Sequence, residues 1–92
     1  MNFRLVFADR NNTKTAKWIK KHPALKTQYL KTLQLIELDI HLPFLRLHKR
    51  SGSLSDLSSV SIDMSYRITL ELIIQDRDVI LITIGSYDDV YC

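Results

Sequence analysis

Leu57-Ser58-Ser59-Val60-Ser61-Ile62-Asp63-Met64 is followed by Ser65-Tyr66-Arg67-Ile68-Thr69-Leu70-Glu71-Leu72-Ile73-Ile74. After a polar break at Gln75-Asp76-Arg77-Asp78 comes Val79-Ile80-Leu81-Ile82-Thr83-Ile84-Gly85. These three runs decide the fold. In the first, Val60, Ile62 and Met64 share one face and Ser59, Ser61 and Asp63 the other. In the second, Tyr66, Ile68, Leu70, Leu72 and Ile74 lie opposite Arg67, Thr69 and Glu71. Alternation with a period of two predicts an antiparallel sheet with one face buried and one wet. The third run is apolar on both faces apart from Thr83, which places it inside the sheet. The break before it lacks the Asn-Gly signature of the tightest hairpins.

The rest of the chain must cover the apolar face. Phe3, Leu5 and Phe7 alternate with Asn2, Arg4 and Val6, which predicts a short strand. Asp9 to Asn12 reads as a turn, with Asn11, Asn12 or Thr13 capping a helix from Thr13 to about Lys21. Ala16 and Ile19 should face the core, with Trp18 partly covered. Lys14, Lys17 and Lys21 form one basic stripe on that helix. His22-Pro23 breaks it, since proline disfavours helix in the preceding residue yet suits the next helix's first turn. A second helix from Pro23 to about Ile40 follows, its core stripe made of Leu25, Tyr29, Leu33, Ile36 and Ile40 and widened by Leu30. Pro43 ends it. Phe44, Leu45 and Leu47 could anchor the next segment, and Ser51-Gly52-Ser53 is a loop into the sheet. The fold class is therefore α+β: a small antiparallel sheet in the order β-α-α-β-β-β, with two N-terminal helices packed on one face.

The 92 residues make one domain, 1–92, with a modest core. No apolar run is long enough to span a membrane, and no signal-peptide pattern stands at the N-terminus. The single cysteine, Cys92, cannot form an internal disulfide, which fits a reducing cytoplasm. The net charge of +3 hides an asymmetry. Residues 1–50 carry eleven Lys/Arg against three Asp/Glu, and residues 51–92 carry two against seven. A basic half suits an anionic partner, either nucleic acid or an acidic protein; it equally suits a solvated helix surface.

Few chemistries fit these residues. His22, His41 and His48 lack the spacing and companions of a zinc site, and Asp88-Asp89 is too short for a calcium loop. There is no glycine-rich phosphate loop and no Gly-x-Ser-x-Gly elbow. What remains is His48-Lys49-Arg50, Tyr66-Arg67 and Gly85-Ser86-Tyr87-Asp88-Asp89-Val90-Tyr91. Imidazole, guanidinium, lysine and aromatics are the groups that contact RNA: arginine forks onto phosphate, and aromatics stack on unpaired bases. On the residues alone a second reading stands beside this one, with Arg67 paired to Glu71 or a cross-strand acid and His48 a surface loop residue.

The order strand, two basic helices, His-Lys-x-x-Gly, alternating strand, Tyr-Arg-Ile, apolar strand, Ile-Gly-Ser-x-Asp-x-Val-Tyr resembles the RelE/ParE toxin superfamily of bacterial toxin–antitoxin pairs, in its YafQ-like branch. The likeness covers nearly the whole chain and is most specific in "LHKRSG", "SYRI" and "IGSYDDVY". It implies a RelE-like fold and a ribosome-dependent endoribonuclease that cuts messenger RNA without a metal or other cofactor. The ribose 2′-hydroxyl would attack the adjacent phosphate. By this resemblance His48 is the acid/base group, Arg67 stabilises the phosphate, and Tyr91 sits near the base or leaving group. Lys49 and Arg50 hold flanking phosphates, and Ser61 and Tyr66 are assigned to substrate binding. Tyr87 is placed in the catalytic set where the family motif has histidine, and Ser61 stands where some members carry another. A phenol is a poor base near neutrality, yet it can donate a proton or a hydrogen bond. The implied partners are a small acidic antitoxin, messenger RNA and the ribosome, in the cytoplasm. The alternatives are a ParE-like inhibitor of DNA gyrase and an attenuated toxin that only binds its antitoxin.

Overall fold

A computed structural model describes residues 2–49, 57–73 and 75–86, apart from the side chains of 9–11. Strand β1 (Arg4–Phe7) leads directly into helix α1 (Asp9–Lys21). A single 3-10 turn at Pro23–Leu25 precedes helix α2 (Lys26–Leu38), and another at Pro43–Leu45 follows it. Then come β2 (His48–Lys49), β3 (Ser58–Ser61), β4 (Tyr66–Ile73) and β5 (Asp78–Ser86).

The expected α+β class holds, with both helices on one face of the sheet. The sheet itself has five strands in the order β1-β5-β4-β3-β2. Its pairs are antiparallel except at one end, where β1 runs parallel to β5 with Arg4 opposite Asp78. A parallel pair needs a long crossover, and here nearly the whole chain lies between the two strands. Strand β5 is interior, between β1 and β4, as its two-sided apolar character predicts.

The core joins Trp18 of α1 and Tyr29, Leu33 and Ile36 of α2 to Val60, Ile68, Leu70, Val79, Leu81 and Ile84 of the sheet. A bulge shapes the sheet's contribution. Thr69 pairs with Thr83 but Leu70 pairs with Leu81, so Ile82 is the extra residue. Strict alternation from Leu81 would send Thr83 into the core. The bulge shifts the phase by one and sends Ile84 there instead.

Several local expectations are corrected. Helix α1 starts at Asp9 on an extended Ala8, with no side-chain cap, so Asn11, Asn12 and Thr13 lie inside it. Ala16 is exposed while Trp18 is buried, because the side of α1 facing β5 is the one that carries the ring. The second helix is neither continuous nor as long as expected: it ends at Leu38 on an extended Asp39, and Ile40 is buried beyond it. Its first turn is the 3-10 turn, which leaves Leu25 half-buried, and Leu30 is 47% exposed on the flank of the stripe. Of the anchors after Pro43, Leu45 is buried and Phe44 is exposed. The first β run ends at Ser61, and Met64 projects into solvent from the following turn. In that turn the Asp63 carboxylate accepts from the amides of Ser65 and Tyr66, each at 2.8 Å. Ile74 and Ser51-Gly52-Ser53 lie outside the described residues.

Arg77 explains why the last turn manages without Asn-Gly. It adopts the left-handed conformation at φ 56° that glycine usually supplies. Its guanidinium carbon lies 4.8 Å from the centre of the Phe3 ring, and its carbonyl accepts from the Arg4 amide at 2.8 Å. The turn residue therefore fastens the N-terminal strand, which glycine could do only through its backbone.

Candidate functional site on the sheet face away from the helices

Register decides which side chains meet. Ser61 is opposite Arg67, Ser59 is opposite Thr69, and His48 is opposite Ser59. Directly paired residues in an antiparallel sheet share a face. His48, Ser59, Ser61, Arg67 and Thr69 therefore lie together on the face away from the helices, with Gly85 paired to Arg67 on the neighbouring strand. Short residues around Arg67 leave room for its long side chain to fold along the sheet. Its Nε donates to Ser59 Oγ at 3.4 Å and its Nη2 donates to the Arg46 carbonyl at 3.2 Å. Ser59 and Thr69 on this face are both fully buried.

His48, expected in a loop, instead opens the short edge strand β2 and is exposed. It is placed there by Arg46, which turns the chain out of the second 3-10 helix at φ 49° and ψ 50°. The Arg67–Arg46 bond thus fixes the segment that presents the imidazole. Glu71 shares the face of Arg67, but four residues of strand separate them by about 13 Å. The pairing of Arg67 with Glu71 is set aside by the bonds to Ser59 and Arg46.

The remaining predicted residues divide. Lys49 is exposed on the same edge strand but pairs with Ser58, so alternation turns it to the other side from His48. Ser61 Oγ donates to the Asp63 carbonyl at 2.6 Å. Tyr66 faces the helices: its ring lies 5.4 Å from Trp18 edge-on and 4.7 Å from His22. Arg50, Tyr87 and Tyr91 lie outside the described residues. Ser59 and Thr69 complete the face; the alternation of the first two runs placed both on this side, which was expected to be wet, yet both are fully buried. The carbonyl of Arg46 had no such signal.

Chemically, this face combines an imidazole that can take or give a proton with a guanidinium held in place from two sides. That pair suits transfer at a phosphate: a proton acceptor and a fixed cation on one face, one strand apart from each other across β3. Among the described residues, no group of three or more His, Cys, Asp or Glu side chains is placed to hold a metal ion. No described helix is long and apolar enough to cross a membrane.

This arrangement of helices and sheet is the RelE/ParE toxin fold. The chain superposes on YafQ from E. coli strain BL21(DE3) with a TM-score of 0.72 at 13% identity, over 98% of this chain and 99% of that one. A YoeB/ParE toxin from Agrobacterium tumefaciens gives a TM-score of 0.75 at 9% identity, over 92% and 99%. The E. coli DinJ-YafQ toxin–antitoxin complex gives 0.68 at 14% identity, over the full length of both chains. No protein-family model and no curated protein sequence matches the chain. At these identities the likeness establishes the fold.

Proposed function

We propose that this chain is the toxin of a type II toxin–antitoxin pair and acts as a ribosome-dependent endoribonuclease on messenger RNA. The observation that carries this reading is the placement of His48 and Arg67 on one sheet face, across the buried Ser59. His48 takes the proton of the ribose 2′-hydroxyl as its oxygen attacks the adjacent phosphorus. Arg67 stabilises the charge that builds on the phosphoryl oxygens. The bond to the 5′-oxygen breaks, leaving a cyclic phosphate and a 5′-hydroxyl. The departing oxygen takes its proton from a phenol, Tyr87 or Tyr91, or from the protonated imidazole. Arg50 holds the strand outside the reacting linkage, and Lys49, on the other side of the edge strand from His48, meets it only past the sheet edge.

The partner is a small acidic antitoxin in the cytoplasm. The complementary charge lies in residues 1–50, with eleven basic against three acidic side chains, and a solved structure of the same fold is a toxin–antitoxin complex. The test is expression in growing cells with primer-extension mapping of transcripts. New 5′ ends within translated messages are expected, and His48→Ala should abolish them. Intact transcripts and normal growth at confirmed expression would reject the reading. A supercoiling assay with purified protein distinguishes the gyrase alternative, which requires inhibition without cleavage.

A further inference from the structure

The basic stripe of α1 takes no part in the chemistry above, and it does not face open solvent alone. Lys14, Lys17 and Lys21 border a recess of 350 Å³ between α1 and the end of β5, floored by Trp18, His22 and Tyr66. His22 and Tyr66 are half-buried with ring centres 4.7 Å apart, and Trp18 lies 5.3 Å from His22. Among the described residues none of the three lysines has a carboxylate partner within ion-pair distance. Three cations beside two half-buried rings, His22 and Tyr66, with the buried Trp18 behind them, are the components of a single-strand nucleotide site. The ammonium groups take phosphate, and the rings take the flat face of a base. An acidic peptide would use the cations but has no use for the aromatic floor.

We infer that this recess binds one nucleotide of single-stranded RNA, as a subsite separate from the His48–Arg67 face. The inference rests on RNA being the substrate. The two sites meet at one end of the sheet: Tyr66 pairs with Ser86, while its neighbour Arg67 pairs with Gly85 and points to the opposite face. A strand leaving the reaction site need only round the end of β4 and β5 to reach the recess. This also gives Tyr66 a part in substrate binding, from the helix side.

Trp18 is the single tryptophan, so its emission reports on the recess. Titration with a short oligoadenylate should change that emission saturably. Polyglutamate of equal charge and inorganic phosphate should not. The Lys17→Glu/Lys21→Glu double variant should weaken the oligoadenylate response by about tenfold or more, as loss of phosphate-neutralising charges does. If charge reversal disturbs folding by circular dichroism, Lys17→Gln/Lys21→Gln serves in its place. A flat titration, equal saturation by polyglutamate, or unchanged affinity in the lysine variant would overturn the inference. Message cleavage is read in a separate assay. A Trp18 response without cleavage keeps the recess and removes the nuclease reading, and cleavage without a Trp18 response does the reverse.

Discussion

Arg67 donates from Nη2 to the main-chain carbonyl of Arg46 at 3.2 Å, joining a central strand to the segment that carries His48. It also bonds Ser59 on the strand between them. The guanidinium therefore has two duties, one positional and one electrostatic. Arg67→Ala removes both and should lower message cleavage by about 10²–10³, the usual cost of losing a charge-stabilising donor at a reacting centre. Arg67→Lys keeps the charge but cannot bond in two directions through a planar fork. It should fall between wild type and alanine in a translating extract. Equal rates for lysine and arginine would mean that only the charge matters.

His48 is exposed on an edge strand, so replacing it should leave the fold intact. His48→Ala should cost about 10²–10⁴ in cleavage rate, the range of a lost general acid or base. Circular dichroism and the urea midpoint should match wild type. Undiminished cleavage at equal protein level would move the proton transfer to another group.

Arg46 sits in the left-handed region, where a side chain with a Cβ costs roughly 1–2 kcal/mol. Its side chain is exposed, and its useful contact is made by its carbonyl. Arg46→Gly should therefore raise the stability to urea by about 0.5–1 kcal/mol, the remainder being lost to the freer unfolded chain. Cleavage should be retained, because glycine still offers the carbonyl to Arg67. A lower urea midpoint would show that the arginine side chain contributes packing not evident from its exposure.

Much of this was legible in the residues. Alternation in Ser59–Ser61 and Arg67–Thr69 assigned which residues lie opposite the helix-packed face, because burial against the helices imposes a period of two; it did not show that this second face is covered too, with Ser59 and Thr69 fully buried. The helix stripe Tyr29, Leu33 and Ile36 was legible for the same reason at a helical period, while Ile40 is buried beyond the end of α2. Strand direction was not: β1 alternates equally well beside a parallel or an antiparallel neighbour. The start of α1 at Asp9 was hidden because Asp9-Arg10-Asn11-Asn12 favours turns locally, whereas the chain just before it is tied to β5 through the Ala8 amide and the Leu81 carbonyl. Strand β2 has two residues, too few to show any period. The recess under the lysine stripe depends on β5 ending beside α1, a relation between segments distant in the chain.

The parallel end of the sheet is clasped by Arg4 and Asp78, register partners whose side chains meet through two hydrogen bonds of 2.8 and 2.9 Å. The hydrogen bond from Arg4 holds the Asp78 carboxyl below its ordinary range, against the opposing effect of its partial burial. The sign follows directly. A carboxyl that is more acidic in the folded protein than in the unfolded chain stabilises the fold at pH above its unfolded value, about 3.9. That contribution is lost as pH falls through the lower, folded value. Asp78→Asn should therefore lower the urea midpoint at neutral pH and leave less of it to lose on acidification. The two proteins should converge as the wild-type carboxyl becomes protonated. Because Arg4 is largely exposed, added salt should narrow the gap at neutral pH. Urea melts from neutral to about pH 3 at two ionic strengths provide the measurement. Parallel curves for the two proteins would show that the clasp contributes through packing alone.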